Sequence, residues 1–174
     1  MVLLIYIEYK EYQKGNRKNF EDDSIINKIV EVEQPISLMN LARKICILRG
    51  FPRVIPSQLE QIRRYSENYL YLESDVHSDV VWLSMTASKE YPWYRPNSGR
   101  DISDIPLIEI MNAAKEAIAE QVAISTESLT LIVAKKLGFT RRGTKVEAAI
   151  HCAISQLKNE SVIVEDSGKI KIIG

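Results

Sequence analysis

A constant offset of 88 positions ties one part of this chain to another. Residues 129–150 read LTLIVAKKLGFTRRGTKVEAAI, and residues 41–62 read LARKICILRGFPRVIPSQLEQI. At that offset Leu41 falls on Leu129, Ile45 on Val133, Cys46 on Ala134 and Gly50-Phe51 on Gly138-Phe139. Arg53 falls on Arg141, Ile62 on Ile150, and upstream Ile36-Ser37 on Ile124-Ser125. The chain reads as two copies of one unit.

Local signals say what that unit is. In the first copy Asp22-Asp23-Ser24 offers capping oxygens, and Ile25, Ile26, Ile29 and Val30 follow at helical spacing until Pro35. Ser37 can cap a second helix with the stripe Leu38, Leu41, Ala42, Ile45 and Leu48, which Gly50 closes. A turn over 52–56 leads to a third helix, 57–69, with Leu59, Ile62 and Tyr65 inward. Residues 70–72 and 80–83 read as strands around an acidic loop. In the second copy Pro106 suits a helix start, and Ile108, Met111, Ala114, Ala117 and Ile118 carry the stripe. Ser125 caps, Gly138 closes, and residues 144–159 form the third helix with Val146, Ala149, Ile150, Ala153, Ile154 and Leu157 inward. Strands follow at 162–164 and 169–172, joined through Asp166-Ser167-Gly168.

Three helices and then a two-stranded hairpin is the order of a winged helix-turn-helix. The expected fold class is therefore α+β, mainly helical, a tandem winged helix-turn-helix. The expected domains are an N-terminal strand and loop (1–20), a first winged-helix unit (21–87), a linker (88–104) and a second winged-helix unit (105–174). The linker carries Pro92, Pro96 and Gly99 without any period, and its Trp93 and Tyr94 suggest docking on a domain surface.

Composition narrows the function. No apolar run approaches the roughly 18 residues that span a bilayer, so no membrane role is expected. The apolar start at 1–7 meets Glu8, Lys10 and Glu11 at once and lacks the basic opening of a signal peptide, so a cytoplasmic location is expected. Cys46 and Cys152 sit among apolar residues and make neither a disulfide framework nor a zinc site. His77 and His151 have no ligand-spaced companions, so no metal is expected. Residues 138–145, GFTRRGTK, miss the phosphate-loop order because Lys and Thr are exchanged, and they follow a helix where that motif follows a strand. No catalytic constellation emerges. The expectation is a non-enzyme without a cofactor.

Net charge is zero, but it is unevenly spread. Residues 35–65 carry net +5 and residues 124–174 net +3, against −2 for 1–34 and −6 for 66–123. Basic patches on a neutral protein can still bind phosphate.

The motifs also resemble a known family. They are Leu41-Ala42-Arg43-Lys44-Ile45 with Gly50-Phe51, then Trp82-Leu83, Arg100, Ile105-Pro106 with Glu109-Ile110, and residues 137–143, LGFTRRG. Together they resemble the domain of unknown function at the C-terminus of large bacterial proteins that join a superfamily-1 helicase module to a very-short-patch-repair-like nuclease module. The resemblance covers roughly residues 25–172 and implies architecture and neighbours, with no catalytic residues to carry over. No helicase or nuclease motif accompanies it, which leaves a piece of a longer protein and a free-standing relative as the two readings.

A winged helix places its third helix in the major groove and its wing on the backbone or minor groove. The candidate nucleic-acid contacts are thus Arg141, Arg142 and Lys145 at the start of the second unit's third helix, with Lys169 and Lys171 on its wing. In the first unit they are Arg53, Arg63 and Arg64, with Gln58 and Gln61, beside a wing loop whose Glu73, Asp75 and Asp79 repel phosphate. The expected function is a DNA-binding accessory module associated with a helicase or nuclease, its partner double-stranded DNA. The competing reading is a protein-docking or homodimerising module that uses Trp93, Tyr94 and the N-terminal strand.

Overall fold

The computed structural model describes residues 24–74, 78–96, 99–121 and 123–173. The strand and loop expected over 1–20 lie outside them. The described chain is α+β and mainly helical, with two small three-stranded antiparallel sheets. It divides into two compact units that part after Lys89.

The first unit opens with α1 (Ser24–Glu33), whose Ile26, Ile29 and Val30 are buried. A two-residue strand, β1 (Ile36–Ser37), follows and pairs with β3 (Asp79–Trp82) in the register Ile36↔Val81 and Ser37↔Val80. Ser37 then caps α2 (Leu38–Leu48), its hydroxyl accepting from the Asn40 backbone N–H at 3.2 Å. Leu38, Leu41, Ala42, Ile45 and Cys46 form the buried stripe of α2. Helix α3 (Pro56–Tyr69) buries only Ile62 and Ser66. Its start is tied by the Gln58 side chain, which accepts from the Ile55 backbone N–H at 3.2 Å. Strand β2 (Tyr71–Ser74) completes a sheet of order β1-β3-β2, and the short α4 (Met85–Lys89) ends the unit.

The second unit repeats this order. Its helices are α5 (Leu107–Ala119), α6 (Thr126–Lys136) and α7 (Thr144–Asn159). Strand β4 (Ile124–Ser125) lies between the first two, and β5 (Ile163–Asp166) and β6 (Lys169–Ile172) follow the third. The sheet order is β4-β6-β5, with Ile124↔Ile170 and Ser125↔Lys169 across the first pair. Ser167 and Gly168, at φ 52° and 74°, make the two-residue turn between β5 and β6.

The shared offset is visible in backbone hydrogen bonds. In α2 the Phe51 N–H reaches Cys46 O at 2.8 Å and Gly50 N–H reaches Ile47 O at 3.1 Å. In α6 the Phe139 N–H reaches Ala134 O and Gly138 N–H reaches Lys135 O, both at 2.9 Å. Both helices therefore end in the same left-handed glycine cap, with φ of 77° at Gly50 and 85° at Gly138. A Cβ built at Gly50 meets nothing within 4 Å, so a side chain there strains only the backbone. Gly50→Ala is expected to destabilise the protein by about 1–2 kcal/mol, read by urea denaturation.

Residues 88–104, read as a linker, hold regular structure at both ends and, from Glu90 on, belong to the second unit. Within them, residues 91–96 and Arg100 form a strap over α5. The Asn112 side-chain amide donates to Tyr91 O and Trp93 O, both at 2.9 Å. Tyr94 packs on the core and donates its hydroxyl to Glu116 at 2.9 Å, while Trp93 stays 69% exposed. A 3-10 turn, Ile102–Asp104, capped by Asp101, leads into α5.

Helix α5 buries apolar side chains nearly all round, because α6, α7 and β6 pack against it. Glu109 is buried with them at 0% exposure. From sequence it reads as an acid placed by the helix dipole. In the structure it is the centre of a charged cluster with Arg95 and Arg100 of the strap. No helix among the described residues is long and apolar enough to cross a membrane.

Candidate nucleic-acid interface

The α6–α7 turn gathers the second unit's basic residues. Gly143 is the N-cap of α7, in extended conformation, and no side chain caps the helix. Its carbonyl accepts from Val146 N–H at 2.9 Å and Glu147 N–H at 3.1 Å. The N–H groups before those have no partner within the helix, and an uncapped helix start favours anions. Arg141, Arg142 and Lys145 flank this opening and are exposed. Among the described residues no ion pair engages Arg141 or Lys145. Arg142 approaches Glu147 only at 4.0 Å, a partly exposed pair worth about 0–1 kcal/mol.

The inward stripe of α7 (Val146, Ala149, Ile150, Ala153, Ile154, Leu157) leaves Lys145, Ala148, His151 and Ser155 facing out. Sequence reading singled out Lys145 alone among these for contact. The others were legible as the complement of the buried stripe, but their short or neutral side chains carry no charge signal.

The hairpin behind α7 is electrically mixed. Cross-strand partners share a face, and the register sets Lys169 opposite Asp166 and Lys171 opposite Val164. Lys171 lies 3.7 Å from Asp166. The hairpin therefore carries two lysines, Lys169 and Lys171, and two carboxylates, Glu165 and Asp166. Elsewhere in the unit, Lys136 binds Glu116 at 2.7 Å and Glu120 at 2.8 Å, and Lys158 binds Glu165. The hydrogen bonds that Lys136 donates to Glu116 and then Glu120 push its pKa well above its ordinary value. Those two cations serve the fold.

In the first unit the expected contacts do not converge. Arg53 is exposed in the turn before α3. Arg63 hydrogen-bonds Asp79 of β3, and that bond raises its pKa. Arg64 pairs with Glu60 one turn earlier on the same helix at 2.9 Å. Being adjacent on a helix, Arg63 and Arg64 point about 100° apart. Gln58 accepts from the Ile55 N–H and, at 3.3 Å, from the Cys46 thiol, so its carbonyl oxygen is engaged inside the unit. Gln61 is exposed.

Burial, opposed by Arg49, pushes the Cys46 thiol pKa up, away from a reactive thiolate. His151 is exposed beside the half-buried Cys152, and among the described residues no three His, Cys, Asp or Glu side chains are placed to hold a metal. No family model, no curated protein and no solved structure matches this chain.

Proposed function

We propose that both units are winged helices and that the second binds duplex DNA, with α7 as the groove helix and the β5–β6 hairpin as the wing. One observation carries this reading: an uncapped α7 N-terminus ringed by exposed Arg141, Arg142 and Lys145. Those three and the backbone N–H groups would take phosphates, Lys169 and Lys171 would add wing contacts, and Ala148 and Ser155 leave room for close approach. The first unit contributes Arg53, while Arg63 and Arg64 remain bound to their carboxylates. The protein is then a non-catalytic accessory module that holds a helicase or nuclease partner on its substrate, the association its motif resemblance implies.

The test is anisotropy of a labelled duplex titrated with the whole protein at about 50 mM and about 200 mM salt. Affinity should fall steeply between the two. No binding at the lower salt overturns the reading.

Gly143 gives a sharper probe. Its φ of −81° suits any residue, and a Cβ there meets nothing within 4 Å. Gly143→Asp should leave thermal stability unchanged or slightly higher, because aspartate is a good N-cap. The same carboxylate would occupy the anion site and repel phosphate. Duplex affinity should fall roughly tenfold, the scale of one phosphate contact. Unchanged affinity would show that α7's start does not face DNA.

A further inference from the structure

In the second unit one side of α7 is covered by α5 and by the 3-10 turn that precedes it. Ala149, Ala153 and Leu157 lie on that side and are buried. At the 88-residue offset their counterparts on α3 are Gln61, Tyr65 and Tyr69, which also recur every four positions and share one face. In the first unit that face is open. Gln61 is exposed, Tyr65 is half-buried, and Tyr69 is 71% exposed with its ring 4.9 Å from that of Tyr65. Helix α1 packs mainly on α2 and leaves a cleft of about 200 Å³ against α3, lined by Ile26, Arg49, Gln61, Ile62, Tyr65 and Tyr69.

The second unit builds its cover from residues 102–119, which precede α6 in the chain. In the first unit the described residues begin at Ser24, and Ile26, two positions on, already lines the cleft. Residues 1–23 come before it, and the first seven, MVLLIYI, carry no charge. Left in water, such a run costs about 25 cal/mol for each Å² of apolar surface. Residues 8–23 tether it to α1. Extended at roughly 3.3 Å each they reach about 50 Å, whereas positions 61–69 of a helix span about 12 Å. A flexible tether of this kind sets an effective concentration on the order of millimolar, which a second copy or a separate partner does not match at ordinary dilution.

We propose that residues 1–7 dock on the Gln61, Tyr65 and Tyr69 face of α3 and close the first unit as α5 closes the second. An aliphatic side chain of the run fills the cleft, and the tyrosine rings bury against its neighbours. The contact makes no use of the α7 start, so it stands or falls apart from the DNA reading.

A nitroxide attached through Val2→Cys in a Cys152→Ser background tests it by methyl NMR of the whole chain, since Cys46 is buried. The tag should broaden the Ile26 and Ile62 methyl signals. Untagged, isotope-labelled chain mixed with tagged, unlabelled chain should keep them sharp. Equal broadening in the mixture assigns the face to a second copy and overturns the proposal, as does no broadening in either sample. Stability gives the second arm. Gln61→Glu with Tyr69→Glu changes two exposed side chains, and Leu4→Asp with Ile5→Asp charges the run. Each pair should lower the urea midpoint, and all four changes together should lower it no further than the larger pair alone, because both break one contact. A midpoint unmoved by either pair, or losses that add, overturns the proposal.

Discussion

Replacing Glu109 by alanine is expected to cost the protein about 3–5 kcal/mol, a large part of the roughly 5–15 kcal/mol that holds a typical domain together. Glu109 has no exposed surface, and its carboxylate accepts from the Arg95 backbone N–H at 2.8 Å and from both guanidinium groups. Removing it leaves Arg100, 14% exposed, without its carboxylate among buried groups. Arg95 is 35% exposed and can rehydrate, which favours the lower end of that range. The loss would reach beyond one ion pair, since the Arg95 and Arg100 contacts, with Asn112, hold the strap on α5. Urea denaturation reads the effect. A loss within about 1 kcal/mol would mean that the cluster is an ordinary surface pair.

The same carboxylate sets an acid dependence. Burial alone would raise its pKa, and hydrogen bonds from Arg95 and Arg100 together outweigh burial, leaving it below the ordinary value. A group depressed in the folded state stabilises fully above its unfolded pKa, about 4.3 for glutamate. That contribution is lost as pH falls through the lower folded value. The unaltered protein should therefore lose melting temperature more steeply below about pH 4 than Glu109→Gln, which has no carboxylate to protonate there.

The features legible in the sequence were those with local causes. Residues 144–159 emerged as a helix because their apolar period is unbroken, and Gly50 and Gly138 marked the ends of two helices because only glycine sits easily at that backbone angle. Ser37 and Ser125 cap the helices expected of them, the latter accepting from Ser128 N–H at 3.2 Å. Docking of the strap was legible in Trp93 and Tyr94, and Tyr94 does pack on the core, but its polar anchors on α5 were not legible, since they follow no period of their own. Glu109 misled for a related reason: an acid in a first helical turn looks solvated until Arg95 and Arg100 are known to cover it. The first unit's arginines looked like a basic surface because Asp79, sixteen positions from Arg63, gives no sequence sign of pairing. The charge of the α7 start was legible in its residues. That Gly143 leaves it uncapped was not.

The second large effect concerns that start. Changing Arg141, Arg142 and Lys145 together to alanine removes exposed charge and should leave folding intact. If each cation meets one phosphate, the slope of log K against log salt should flatten by about 3, and affinity near 0.1 M salt should drop on the order of a hundredfold. Changing Arg53, Arg63 and Arg64 together should alter the slope by at most about 1, because Arg53 is the one among them not engaged by a carboxylate.

The most direct measurement is that slope, taken by anisotropy on one labelled duplex for the unaltered chain and the two triple variants. The account predicts a steep slope, flattened by the changes at 141, 142 and 145 and nearly untouched by those at 53, 63 and 64. Equal slopes for all three proteins would contradict it.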